Sequence, residues 1–185
     1  MNRPSHPPTA PLMFLLSVFL CGFLSVSAQF KNVGKLKTWT TRTFERQHEG
    51  EPYASYLRHV HVEKQSTFDR VVFEFQGPMP HYNIHYLRAR FYVNESGDQE
   101  RIKIAGSRFI IVGFYFIRSD ETQVTLSQAK GCFPAGKLRM PSFLQLANEG
   151  AWEGGYDVLL GINSRRAFRV TELANPARVL MDIKH

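Results

Sequence analysis

The run Phe68-Asp69-Arg70-Val71-Val72-Phe73-Glu74-Phe75-Gln76-Gly77-Pro78 constrains the fold more than any other stretch of this chain. β-branched and aromatic residues alternate with charged ones, and Gly-Pro ends the run, which predicts a half-buried strand. Successive side chains of a strand face opposite ways, so Val71, Phe73 and Phe75 point to one side and Arg70, Val72 and Glu74 to the other. A second stretch near the C-terminus repeats the design. There a proline-bearing turn, Asn175-Pro176, leads through Ala177 and Arg178 into Val179-Leu180-Met181-Asp182-Ile183, an apolar strand with one carboxylate. The two are expected to pair with or face each other within one β-domain.

Other segments carry the same signature. Tyr56–Val62, Tyr82–Val93 with a break near Arg88, Ile102–Ile104, Arg108–Phe116 and Tyr156–Ile162 are predicted strands, and Phe168–Leu173 with Val179–Ile183 is a closing hairpin. In the first of these, Leu57, His59 and His61 are assigned to one face and Arg58, Val60 and Val62 to the other. Arg108–Phe116 is apolar on both faces, which suits either a covered central strand or a contact surface. Pro134, Gly136 and Pro141 interrupt the region from Thr122 to Ala147, predicting a long excursion with a short helix around Ser142–Asn148. The fold class is therefore all-β: a small β-sandwich of two antiparallel sheets.

The strand motifs Asp69-Arg70-Val71-Val72-Phe73-Glu74-Phe75, Phe168-Arg169-Val170 and Pro176–Ile183 resemble the AMIN-like domain of bacterial exported proteins and lipoproteins. That group is similar to the AMIN domain of cell-wall amidases and secretins. The resemblance runs from about Tyr56 to Ile183, and its motifs mark the fold more sharply than the function. It implies a small β-sandwich without catalytic residues that binds peptidoglycan or other envelope partners.

The N-terminus bears on compartment. An apolar run from Leu12 to Leu24 follows Arg3 and a Pro-rich opening, and Ser25-Val26-Ser27-Ala28 supplies the small residues that signal peptidase needs. The expectation is a signal peptide over residues 1–28, cut after Ala28, with a retained anchor as the alternative. The run is short of the roughly 20 residues of a membrane span. Leu20 before Cys21 is too large for a lipobox, so a soluble periplasmic or secreted protein is expected. Removing 28 of the 185 residues leaves 157, enough to bury a core, and leaves Cys132 as the one cysteine, read as a structural thiol without a disulfide partner. Residues 29–52 then form a basic linker or loosely docked arm, and residues 53–185 the domain.

The formal net charge of +7, or +6 once Arg3 is removed, points to anionic partners such as envelope polysaccharide or peptidoglycan. The positive residues are scattered rather than gathered in a stripe, which argues against nucleic acid. No phosphate loop, serine elbow or zinc motif is present, so neither an enzyme nor a cofactor is expected. His59 and His61 share a strand face, but no spacing supplies further ligands, so no metal site is assigned. The candidate ligand-binding residues are Trp152, Tyr156, Tyr82 and Tyr86, as rings for sugar faces, with Arg165 and Arg166 in a turn. Asp69, Arg70, Arg178 and Asp182 are read as strand charges whose cross-strand pairs set register, with a binding groove as the alternative. Two functions follow: an envelope-polymer binding module, or a protein-interaction domain that assembles through a strand edge or the Phe109–Phe116 surface.

Overall fold

The computed structural model describes residues 32–35, 38–49, 55–87, 91–93, 99–115, 134, 136–152 and 155–185. The expected leader, Cys21, Cys132 and the stretch 116–133 lie outside them. Twelve strands are present among the described residues, and no helix. In chain order they are β1 (Asn32–Lys35), β2 (Phe44–Arg46), β3 (Tyr56–Lys64), β4 (Phe68–Gln76), β5 (His81–Tyr86) and β6 (Phe91–Val93). These are followed by β7 (Gln99–Arg101), β8 (Arg108–Tyr115), β9 (Gln145–Trp152), β10 (Gly155–Ile162), β11 (Phe168–Leu173) and β12 (Ala177–Lys184). One five-stranded sheet runs β1-β11-β12-β4-β3, the other β2-β5-β8-β10-β9, and β6 pairs with β7.

The two arginine-bearing strands that dominate the sequence are direct neighbours: β4 and β12 pair antiparallel, with Val72 opposite Leu180 and Arg70 opposite Asp182. Val71, Phe73 and Phe75 of β4 and Val179, Met181 and Ile183 of β12 are all buried. They meet Ile84, Val112, Phe114, Val158 and Leu160 of the second sheet in one core. Phe114 lies edge-on to Phe73 and Phe75, with ring centroids 5.0 and 4.9 Å apart, a favoured aromatic geometry that ties the two sheets together. The hairpin turn between β11 and β12 places Asn175 at φ 58°, a left-handed conformation that asparagine tolerates better than most residues.

β8 lies between β5 and β10, so it is the covered central strand rather than a contact surface. Its inward residues Ile110, Val112 and Phe114 enter the main core, while Phe109 and Ile111 pack outward against Ile102, Ile104, Leu87 and Leu159. The chain following β7 lies directly on β10, where a Cβ at Gly161 would stand 1.8 Å from the Ala105 carbonyl oxygen. Only glycine admits that approach.

Three local expectations are corrected. Ser142–Asn148 does not form a short helix. From Gln145 the chain is strand β9, with Leu146 opposite Leu160 and Ala147 opposite Leu159. The hydrogen-bonding edge of β10 decides the conformation of a short apolar segment whose own periodicity is ambiguous. The stretch Ile102–Ile104 is not a strand; β7 ends at Arg101 and Ile102 is a buried plug. In β3 a register shift between Leu57 and His59 changes the side-chain phase, so Leu57 and Val60 are both buried while His59 and His61 are exposed.

The described parts of the basic segment, residues 32–35 and 38–49, are hydrogen-bonded to both sheets. β1 pairs with β11, Thr40 bridges Phe168, and β2 pairs with β5. Thr41, Arg42 and Thr43 therefore form a strap that crosses from one sheet to the other.

Candidate functional site

The strap meets the end of the sandwich where β5 leaves and β8 enters the second sheet. Thr40 is held by reciprocal backbone bonds to Phe168 of 2.9 and 2.8 Å, and Phe44 at the far side of the strap packs on the core. The ladder of β5 and β8 continues past Tyr86 through the Leu87 N–H, which donates to the Phe109 carbonyl at 3.0 Å. The turn after β10 brings Arg165 to the same place. A groove of about 690 Å³ results, lined by Thr41, Arg42, Thr43, Tyr86, Leu87, Arg108 and Arg165.

Among its described lining side chains three are guanidiniums and none is a carboxylate. Arg165 donates to the Thr41 carbonyl at 2.9 Å and lies over the Tyr86 ring, 5.1 Å from its centroid. It thereby joins the strap to β5. The side chains of Arg42 and Arg108 are exposed and form no hydrogen bond or ion pair with any described residue. The Tyr86 hydroxyl donates to the Arg166 carbonyl and accepts from the Arg166 N–H at 3.0 Å. Burial pushes its pKa above the ordinary tyrosine value, so at neutral pH it is a fixed, uncharged brace.

The residues singled out from the sequence separate into three groups. Tyr86 and Arg165 line the groove. Arg166 lies beside it with its guanidinium turned to the Lys184 carbonyl at 3.3 Å, and Trp152 lies on β9, its side chain outside the described part of the structure. Tyr82 and Tyr156 are core rings, 1% and 3% exposed, so neither offers a face to a sugar. Period-two alternation cannot distinguish an inward tyrosine from an outward one unless the phase of the strand is known.

Tyr82 has another task. Its hydroxyl donates at 2.6 Å to Oε1 of Glu172, a carboxylate on the inner face of β11 that is 1% exposed. His48 Nε2 stands 3.1 Å and Arg46 Nε 3.6 Å from the same oxygen, so the end of β2 and the residues after it cover this buried carboxylate. Burial, followed by the bond to Glu172, raises the Tyr82 pKa far above its usual value. Sequence reasoning missed this cluster. The signal was present in Phe168, Val170 and Glu172, where the apolar alternation puts a carboxylate in phase with the core.

The strand charges form a row on the outer face of the first sheet. Asp182 accepts from Arg70 at 2.6 and 3.1 Å and from Arg169 at 2.8 Å. The bond to Asp182 raises the Arg70 pKa further, despite partial burial. Arg169 also sits over Trp39 at 4.7 Å and Phe68 at 4.9 Å, fastening the N-terminal segment to the sheet. Arg178, partly buried, lies opposite Glu74 and Leu173 in the same sheet. Asp69 faces inward instead. Its Oδ2 accepts from the Ser142 N–H and hydroxyl at 2.7 and 2.6 Å, and His185 Nε2 lies 3.0 Å from Oδ1.

Serine, aspartate and histidine thus meet, but the carboxylate stands between the other two. The serine proton already belongs to Asp69, and the imidazole is not aligned to remove it, so this is not the nucleophile-base order of a hydrolase. Among the described residues no group of three or more His, Cys, Asp or Glu side chains is placed to share a metal ion.

The fold is an antiparallel sandwich with a cationic groove at one end. Against known families, residues 55–185 match the AMIN-like domain, and the chain belongs to that family of envelope-associated binding modules. No curated protein and no solved structure matches it. The match begins after the strap, so Thr41, Arg42 and Thr43 of the groove lie outside the matched region. No described helix is long and apolar enough to cross a membrane.

Proposed function

We propose that the chain is a non-catalytic exported module that holds an anionic polymer of the cell envelope, peptidoglycan or another, in the groove between the strap and the second sheet. The observation that carries this is the set Arg42, Arg108 and Arg165 around one groove with no carboxylate among its described lining residues. Arg42 and Arg108, which no described acceptor satisfies, are available to an external anion, and the positive net charge raises its local concentration. AMIN-like domains are in general exported and without catalysis, which agrees with the leader-like residues 1–28. Cleavage after Ala28 is read out directly by the N-terminal mass of protein recovered from an exporting host.

The test of the function is cosedimentation of the chain with purified sacculi at low and high salt. Retention at low salt, released by salt and lost when Arg42, Arg108 and Arg165 are changed to glutamine, supports the reading. No retention at low salt overturns it. Assembly with an envelope protein is the alternative, favoured by β9 ending its sheet among the described residues. One dominant protein partner in cellular cross-linking, without sacculus binding, decides for it.

A further inference from the structure

Resting on the reading of the groove as an envelope-polymer site, we infer that the group it recognises is a phosphodiester rather than a sugar or a sugar carboxylate. Sugar recognition needs an open aromatic face and acceptors for hydroxyl protons. Among its described lining residues the groove offers little of either. Tyr86, the ring among them, is covered on a face by Arg165, and its hydroxyl is occupied by the Arg166 backbone. Of the described lining side chains only the Thr41 and Thr43 hydroxyls, and the engaged Tyr86 hydroxyl, can accept a proton.

The choice between phosphate and carboxylate follows from where the donors come from. A carboxylate is planar, and one guanidinium fork satisfies both of its oxygens. Here the cationic donors arrive from three separate segments: Arg42 from the strap, Arg108 from the start of β8 and Arg165 from the turn after β10. Donors approaching from different sides suit the tetrahedral oxygens of a phosphate. The groove, at about 690 Å³, is also far larger than one inorganic ion and lies in the range of organic ligand sites. Leu87 and the edge of Tyr86 give the alkyl or glycerol flank of a diester an apolar strip. Because Arg42 lies outside the family match at 55–185, this preference belongs to the present chain and need not extend to the family.

The experiment measures binding of the full chain to three probes at matched ionic strength: soluble poly(glycerol phosphate), polygalacturonate as the carboxylate polymer, and phosphatidylglycerol vesicles in phosphatidylcholine. The inference expects the phosphate polymer or the vesicles to bind at least about tenfold more tightly than polygalacturonate. A preference for the soluble polymer identifies a wall phosphate, and a preference for vesicles a lipid headgroup. Arg108→Gln, which removes no hydrogen bond or ion pair with a described residue, should lose most of that advantage with an unchanged melting temperature, and Arg42→Gln should do the same. Equal or tighter binding of polygalacturonate overturns the phosphodiester inference while leaving an anion site intact. Failure of all three probes removes the anion site itself and with it the proposed function.

Discussion

The molecule uses arginine in two opposite ways, on the outer face of the first sheet and in the groove. Arg70 and Arg169 share the buried Asp182 and stack on Phe68 and Trp39, so their charge is spent on holding strands and strap together. Arg42 and Arg108 have no described acceptor, and Arg165 reaches only a carbonyl and a ring. What separates the two sets of arginines is the presence of a carboxylate within reach, and sequence position says nothing about it.

The largest expected effect on stability breaks the structural row. Asp182→Ala strands two partly buried guanidiniums and should cost about 3 kcal/mol, the low end for a broken buried pair because both arginines are about a quarter exposed and can turn toward water. Urea denaturation measures the loss, and groove ligands should bind the surviving folded fraction normally. By contrast, Arg42→Gln with Arg108→Gln should change stability by less than about 0.5 kcal/mol while abolishing polyanion retention, since these are surface substitutions without partners. A result in which the groove pair destabilises and the Asp182 variant does not would invert the distinction.

Gly161→Ala probes the packing of the chain after β7 on β10. A methyl 1.8 Å from the Ala105 oxygen forces a backbone shift, expected to cost about 1–3 kcal/mol in thermal denaturation. Alkaline titration sharpens the role of the buried tyrosine. Tyr82 titrates in the folded protein well above its unfolded value near 10. Above that pH the unfolded chain therefore holds fewer protons than the native one, and stability falls by up to about 1.4 kcal/mol per pH unit from this group. Tyr82→Phe should flatten that slope while lowering stability at neutral pH, where Glu172 loses its donor. A modest loss is expected from Trp39→Ala, about 1 kcal/mol from the lost cation–π contact. Its sharper readout is weaker polyanion binding, because it loosens the strap that carries Arg42.

Much of the fold could be read from the chain. The alternation in Phe68–Gln76 and in Phe168–Leu173 marks strands whose inner faces are apolar, and the antiparallel pairing of β4 with β12 is the natural use of two such strands. The misjudged elements share one cause. A short run such as Ser142–Asn148 has no decisive period of its own, and the extra residue in β3 changes the phase of everything before it. In the site, Arg165 and Tyr86 were recognisable as a turn cation and a ring near the end of a strand. Arg42 and Arg108 were not, because in sequence they resemble every other scattered positive residue.

The sequence alone determined the class of structure and the positive balance: alternation with period two demands a sheet with one apolar face, and side-chain composition sets the charge. Tertiary structure alone decided which positive charges are spent. Whether a guanidinium meets Asp182 or opens into the groove depends on which strands become neighbours and where the strap crosses. Those are long-range contacts between residues as far apart as Thr41 and Arg165, and no local pattern encodes them.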